Sequence, residues 1–369
     1  MDAENHVKII SKVIIKPSSP TPHTHKTVKL SFLDQLLAPP FYVPFIFFYQ
    51  PDNSTVSVNH AQISQQLKNS LSEALTLFYP LAGKLNPQIS TVDCSDDGAE
   101  FVEARVHTYK FLRLRRNSYR DLLVAPINRR RLPGGVCRFV GRGLPRAGAK
   151  RIEKRKAGDE KIRVRQGKIG GAKTRRCFRP TRVVGREGTD RVEVVSAFIW
   201  KHFIENGHHV KNVPAAWHIV NLRPRVNPTM ENVFGNFILK KFIFSSGADP
   251  EFRDLVSEMR NGLREIDDEY IRKLSREYDG YVSDISKFYD LVVSGEMESV
   301  GFSSWARFPV YDMDYGWGKP VWVCPTSCPE KNVVFLMGTK DGDGIEAWVN
   351  MLESSSEILE IKFKLLGIN

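Results

Sequence analysis

Asp314-Tyr315-Gly316-Trp317-Gly318-Lys319-Pro320 decides how this 369-residue chain is read. Two glycines flank a tryptophan beside an acidic residue, and a proline closes the run. Each glycine adds backbone freedom to the unfolded state, so the string is costly as an ordinary loop. It suits a backbone that turns tightly around a large buried ring.

Outward from that loop, the C-terminal part is legible as alternating elements. Arg191-Val192-Glu193-Val194-Val195-Ser196-Ala197-Phe198-Ile199-Trp200-Lys201 is an apolar run that continues as a helix to His202. Val220-Asn221-Leu222-Arg223-Pro224-Arg225 and Phe234-Gly235-Asn236 follow as short blocks. Asp249-Pro250 offers an N-cap and first-turn pair, and Phe252, Leu255, Val256, Met259, Leu263, Ile266 and Tyr270 predict one long amphipathic helix. Val333–Met337 reads as a strand. Gly342-Asp343-Gly344 then turns into Ile345–Val349, expected as a closing helix. Toward the N-terminus, β-branched Val7–Ile15 predicts a strand ending at Lys16-Pro17. Phe41–Tyr49 predicts a buried strand with a bend at Pro44. Leu67, Leu71, Ala74, Leu75 and Phe78 recur at helical spacing before Tyr79-Pro80-Leu81-Ala82-Gly83-Lys84.

Several of these blocks, in this order, resemble the plant BAHD acyl-CoA-dependent acyltransferases, the group that includes vinorine-synthase-like enzymes. Asp314 to Gly318 is similar to their Asp-Phe-Gly-Trp-Gly signature, with Tyr315 where Phe is usual. The Tyr79–Lys84 block and the segments opening at Arg191 and Val220 match too. The resemblance covers about residues 5–104 and 190–369. It implies an α/β, two-domain, chloramphenicol-acetyltransferase-like fold with an incomplete N-terminal domain. It also implies an acyl-CoA co-substrate, acetyl-CoA most simply, and an alcohol acceptor from specialised metabolism, with no bound cofactor or metal. By the same resemblance Ser196, Asn221, Arg223 and the Gly235 region are possible CoA contacts. Asp314, Tyr315, Gly316, Trp317 and Gly318 form a structural loop, with Arg223 or Arg225 as the ion-pair partner of Asp314.

The family's second signature, His-x-x-x-Asp, supplies the general base in the resemblance. None of the nine histidines here has an aspartate four residues later. The place where that motif belongs is occupied by text of another kind. Residues 105–186 hold 27 of the 54 Lys and Arg but only 4 of the 42 Asp and Glu, a local net of +23 against −11 for the rest. Arg-Arg pairs, Gly-Gly pairs and scattered prolines replace any apolar period, so no helix or strand is expected. Such a segment buries too little apolar surface to offset its ordering entropy. The division is therefore a partial N-terminal acyltransferase domain at 1–104, a basic segment at 105–189 that is disordered or the product of a shifted reading frame, and a C-terminal domain at 190–369. Read literally, the chain has no catalytic residue, and inactivity is expected.

Other features carry less. His202 is the best-placed surviving histidine, but a histidine on an apolar helix more often packs than reacts. His208-His209 lacks further ligands. Cys324 and Cys328, two of five irregularly spaced cysteines, have no second pair for zinc. Gly167–Thr174 nearly spells a phosphate-binding loop but has Ala172 at a required glycine and no preceding strand. The basic block has few aromatics for base stacking, so nucleic acid is not an expected partner. Two alternatives to the enzyme stay open: a non-catalytic CoA-fold binding protein and a basic nucleic-acid-binding protein. No run approaches the roughly 20 apolar residues that span a bilayer, and no signal peptide is read. A cytoplasmic monomer is expected.

Overall fold

The β-branched run Val7–Ile15 forms strand β1, as its composition predicts, in a computed structural model. The structure describes residues 7–36, 44–50, 60–86, 88–106, 176–178, 190–206, 214–247, 249–325, 332–342 and 344–350. After β1 come β2 (Thr27–Lys29), α1 (Phe32–Leu36), β3 (Phe45–Phe48), α2 (His60–Leu77), β4 (Lys84–Asn86), β5 (Thr91–Asp93) and β6 (Ala99–Val106). Then follow β7 (Arg176–Phe178), α3 (Arg191–Asn206), β8 (Ala215–Asn221), β9 (Ile238–Phe244), α4 (Phe252–Arg264), α5 (Asp268–Arg276) and α6 (Tyr278–Val293). The last described elements are β10 (Ser299–Trp305), β11 (Trp322–Pro325), β12 (Val333–Gly338) and β13 (Ile345–Asn350).

The chain divides into two units. Unit 1 is Met1–Tyr42, Phe47–Lys150 and Asp312–Val323; unit 2 is Val43–Ile46, Arg151–Tyr311 and Cys324–Asn369. The Asp314 loop therefore belongs with unit 1, whereas the sequence boundary at residue 190 had put it in the C-terminal domain. Side chains from Tyr49 and Gln66, described below, hold it there.

Unit 2 is built on a six-stranded sheet of order β7-β13-β12-β10-β8-β9. β8, β10 and β12 run parallel, and β9, β13 and β7 add antiparallel at the two sides. Strands of a sheet covered on both faces read as continuous apolar runs. Val333–Met337 is such a run, and all five residues are buried. Helix α3 lies on the sheet at β10 and packs against α4, which in turn packs on β9. Its first turn is closed reciprocally: Asp190 Oδ1 accepts from the Val192 amide at 3.0 Å, and Glu193 Oε2 accepts from the Asp190 amide at 3.2 Å. An acidic cap with Glu three residues on is the capping-box pattern.

Four expectations for this unit are corrected. Ile345–Val349 is not a closing helix but strand β13. The Thr339–Gly344 turn folds it back on β12, with Val334 opposite Val349 and Leu336 opposite Ala347. A run with Ile, Trp and Val suits a pleated, buried surface, and pairing decides between two weak local preferences. The single long helix from Phe252 to Tyr270 is two helices, α4 and α5. Asp267 interrupts it by capping α5, its Oδ1 accepting the Tyr270 amide at 2.8 Å. Asp249-Pro250 lies ahead of the N-cap residue, which is Glu251. Asp249 instead pairs with Lys201 at 2.7 Å. Finally, β7 falls inside the basic block where no element was expected, its backbone pairing with β13.

Unit 1 carries two small sheets of its own. β1 pairs antiparallel with β6, with a bulge between Ile9 and Ser11. β2, β5 and β4 form a three-stranded antiparallel sheet. Leu30, Val92 and Cys94 are its buried centre, packed by Val28, Tyr79 and Leu85. Helix α2 forms over the expected stretch, with Leu75 buried, Leu67 and Leu71 half-buried and Ala74 exposed, and it ends at Leu77, leaving exposed Phe78 beyond it. It is fastened to the β1–β6 pair by Lys68, whose Nζ lies 2.8 Å from Glu103 Oε2, and by Ser72 Oγ donating to the Lys16 carbonyl at 2.7 Å. β3, shorter than the expected Phe41–Tyr49 run, pairs with β11; residues 41–43 lie outside the described residues.

Candidate functional site

The Asp314 loop is explained by its backbone. Gly316 has φ +97° and Gly318 φ +96°, a region that residues with a Cβ rarely enter. Both left-handed turns point their amides at one acceptor. Asp314 Oδ1 receives the Gly316 N–H at 2.8 Å and the Gly318 N–H at 3.0 Å. The rings that the turns bring together are Tyr315 and Trp317, stacked with centroids 5.6 Å apart. Tyr49 meets both edge-on, at 6.1 and 6.2 Å, and donates its hydroxyl to the Met313 carbonyl at 3.0 Å. Burial, with Tyr315 and Asp314 beside it, pushes the Tyr49 phenol up. Gln66 Nε2 donates to the Tyr315 carbonyl at 2.6 Å.

The expected Asp314–arginine pair is absent among the described residues. The Asp314 carboxylate serves its own loop, and Arg223 and Arg225 serve carbonyls elsewhere. Arg225 Nη1 donates to the carbonyls of Leu263 and Ile266 at 2.5 and 2.7 Å. These are acceptors at the C-terminal end of α4 that the helix cannot satisfy itself. Arg225 thus sits where α4 gives way to α5. The Pro-rich block around it gave no sign of this role, and neither Tyr49 nor Gln66 was singled out as a partner of the loop.

Asn221, Arg223 and Gly235 come together in unit 2. Arg223 lies two residues past the end of β8. Its Nε donates to the Val233 carbonyl at 2.9 Å, Nη2 to the Gly235 carbonyl at 2.7 Å, and Nη1 to Asn221 Oδ1 at 3.3 Å. The same Asn221 oxygen accepts the Arg223 amide at 3.2 Å, and the Arg223 carbonyl accepts the Met230 amide at 3.0 Å. Ser196 is elsewhere, fully buried on α3, and its Oγ has no hydrogen-bond partner among the described residues.

Among the described residues, the histidines are not brought together with one another. His202 is buried on α3. His218 is buried in β8, stacked on Phe302 at 5.9 Å, with Nδ1 3.0 Å from the Ile219 carbonyl. Burial is the main cause that lowers its pKa to about 4, and Arg225 adds to this against the opposite pull of Asp190. It is neutral and enclosed. His208 and His209, the Gly167–Thr174 stretch and Cys328 lie outside the described residues. Among the described residues no group of three His, Cys, Asp or Glu is placed to hold a metal ion, and no helix is long and apolar enough to cross a membrane.

Layered α/β units and the Asp-Tyr-Gly-Trp-Gly loop define an acyltransferase of the two-domain, chloramphenicol-acetyltransferase-like class. The chain belongs to the BAHD acyl-CoA-dependent acyltransferases: the model of the transferase family matches residues 5–121 and 153–365. That match runs into both ends of the basic block, further than the resemblance read from the sequence blocks alone. Stemmadenine O-acetyltransferase from Catharanthus roseus is 32% identical over 426 positions, covering 97% of each chain. Vinorine synthase from Rauvolfia serpentina is 31% identical over 419 positions, covering 96% of each. The crystal structure of vinorine synthase superposes with a TM-score of 0.69 at 29% identity, over 95% of this chain and 96% of that one. Since 97% of this chain is about 358 residues, about 68 of the 426 positions stand opposite a gap in it. The chain is internally short relative to that relative, and it carries no His-x-x-x-Asp.

Proposed function

We infer that this chain derives from an enzyme that moves an acyl group, acetyl in the simplest case, from acyl-CoA to the hydroxyl of a plant specialised metabolite. What carries the inference is the 32% identity to stemmadenine O-acetyltransferase along 97% of both chains. A further relative named as an acetyltransferase, salutaridinol 7-O-acetyltransferase from Papaver somniferum at 27% identity, supports an O-acetyl product. In such a transfer the alcohol oxygen attacks the thioester carbonyl, and the hydroxyl proton passes to a base. The C–S bond then breaks, and the CoA thiolate takes up a proton. Preorganised donors stabilise the oxyanion between the two steps.

We propose that the chain as written keeps the means to bind CoA and lacks the base. Removing a general base typically lowers the rate by about 10² to 10⁴. Asn221, Arg223 and the Gly235 region remain the proposed CoA contacts, while Ser196 is fully buried on α3. The enzyme is proposed to be a cytoplasmic monomer. The test has two parts. Isothermal titration with coenzyme A should give saturable binding, while acetyl-CoA and an alcohol acceptor such as stemmadenine should give no turnover. Sequencing the transcript across codons 100 to 195 should reveal a His-x-x-x-Asp in another frame. A transcript that reads as the chain does, with no CoA binding, would overturn the enzyme reading.

A further inference from the structure

Only two of the 21 prolines in the chain follow a serine or threonine: Pro20 after Ser19 and Pro22 after Thr21. Both lie in one strap of unit 1, which leaves β1 and crosses the last turns of α2. The first half of the strap is tied to that helix. The Ser18 amide donates to the Ser72 carbonyl at 3.1 Å, Ser18 Oγ lies 2.9 Å from Thr76 Oγ1, and the Ser19 amide donates to the same Thr76 oxygen at 3.3 Å. The second half is tied to the loop before β6. Thr21 donates its amide to Asp96 Oδ2 at 3.0 Å and its hydroxyl to Asp96 Oδ1, while Lys26 Nζ holds the same carboxylate at 2.9 Å. The two hydroxyls that precede proline therefore differ. Thr21 is 5% accessible and committed to Asp96. Ser19 is exposed, and the bond that holds it uses its backbone amide.

We propose that Ser19 is a phosphorylation site for a proline-directed serine/threonine protein kinase, and that Asp96 closes Thr21 to the same kinase. The class takes proline after the acceptor because that residue has a fixed φ and no N–H to satisfy. Residues ahead of proline are biased to extended backbone, and Pro22, at φ −54° and ψ 146°, continues that form. In the transfer, Ser19 Oγ attacks the γ-phosphorus of ATP and the bond to the β,γ-bridging oxygen breaks. ADP leaves, and the hydroxyl proton passes to the kinase's base. The phosphate adds a charge of about −1.5 to −2. It arrives beside the C-terminal end of α2, the negative pole of the helix. Asp96 stands at the other end of the strap, with Lys26 already engaged. Like charges on both sides release the strap from α2. None of this depends on the acyl-CoA reading.

The experiment incubates the full chain with a mitogen-activated protein kinase, Mg²⁺ and ATP, beside S19A and a peptide of residues 14–25. Phosphorylated residues are mapped by mass spectrometry. The expected result is one phosphate on the chain, at Ser19, and none on S19A. The peptide, which lacks Asp96, should take phosphate at both Ser19 and Thr21. In the phosphorylated chain, amide exchange at Ser18 and Ser19 should accelerate about tenfold as the strap opens. Equal modification of Ser19 and Thr21 in the chain would overturn the proposal, and so would a chain refused at Ser19 while the peptide is accepted. A peptide refused at Ser19 would exclude the kinase class, and one modified at Ser19 alone would show that the fold does not make the choice. Unchanged exchange after full phosphorylation would remove the release of the strap.

Discussion

Val333–Met337 in β12 and Val7–Ile15 in β1 are both runs of β-branched and aliphatic residues, yet they meet opposite fates. In β12 all five side chains are buried. In β1, Ile9, Ile10, Val13 and Ile14 remain 38–53% accessible, as does Val102 across from Lys12 on β6. Composition does not separate the two strands; their neighbours do. β12 has a strand on each side and layers of the sheet's own side chains beyond. Among the described residues β1 has one partner, and α2 reaches the pair through Lys68 at Glu103, on the face that carries Ser11. A two-stranded pair by itself is marginal in water. The lesson is that a strand's stability belongs to the sheet around it.

The sharpest way to break the comparison is to truncate one ring in unit 2 and one side chain in unit 1. Phe302, fully buried on β10, should lose about 3–5 kcal/mol on conversion to Ala, the range for deleting an enclosed aromatic ring. Val102→Ala, at a half-open position, should stay within about 0.5 kcal/mol. Urea unfolding of the two variants measures both, and equal losses would show that the β1–β6 pair is as well buried as the six-stranded sheet. Amide exchange offers the same contrast, with β8, β10 and β12 protected longest.

The second prediction concerns His218, in the same sheet. Its folded pKa of about 4 lies below the ordinary histidine value, because burial disfavours the imidazolium. The unfolded chain therefore binds the proton first. The contribution of the neutral ring is complete above about pH 6.5 and is lost as pH falls toward 4, about 3 kcal/mol in all. Below pH 4 this site adds nothing more. The groups facing it are Arg225, which opposes the proton, and Asp190, which favours it. Glu103 titrates lower still, its carboxyl held to about 2 by Lys68 first and then by Ser11 and Ser64. A pH series on His218→Gln should be flatter between 6.5 and 4 than that of the parent; superimposable curves would sink the assignment.

How much of this was legible beforehand depends on whether local pattern or distant pairing decides each element. β1 and β12 announce themselves as β-branched and apolar runs, and α2 by its helical period. The need for glycine at 316 and 318 is legible too, since nothing else explains that spacing around Trp317. β13 was misread because Ile345–Val349 is too short for periodicity to distinguish strand from helix, and the strand it pairs with lies across a turn. The α4–α5 break was missed because the apolar spacing continues through Asp267, whose capping role appears only in the hydrogen bond to Tyr270. At the candidate site, the resemblance grouped Ser196, Asn221, Arg223 and Gly235 as possible CoA contacts; the structure brings the last three together and leaves Ser196 elsewhere. What joins the three, an arginine fork gripping a loop, was not legible, because carbonyl acceptors leave no mark in the sequence. The missing His-x-x-x-Asp was plain from the sequence and needs no structure.

The glycine argument in unit 1 can be sharpened with a smaller effect. A Cβ on Gly318 would meet nothing within 4 Å, so Gly318→Ala isolates the backbone penalty of φ +96°. That penalty is about 1–2 kcal/mol for a residue with a Cβ. Gly316→Ala should cost slightly more, because its Cβ would come to 3.0 Å from Gln66 Nε2. Asp314→Ala should lose about 1–2 kcal/mol by leaving two amides without their acceptor. Thermal melts rank the three, and a soluble D314A with an unchanged melting temperature would contradict the structural role given to the loop.

The smallest effect returns to the open strand pair. Lys12 Nζ lies 3.3 Å from Glu100 Oε1, an ion pair across β1 and β6 with the lysine side chain 56% accessible. Geometry alone would make it look like a staple for a two-stranded sheet. An exposed pair, however, trades its attraction against hydration and side-chain entropy, and such pairs contribute about 0–1 kcal/mol. Lys12→Ala should therefore change stability by less than about 0.5 kcal/mol, and 0.5 M salt should erase even that difference. A loss several times larger that survives salt would mean the pair is shielded from water. The face formed by Ile14 and Val102 would then have to be covered, and the contrast between the two sheets would narrow.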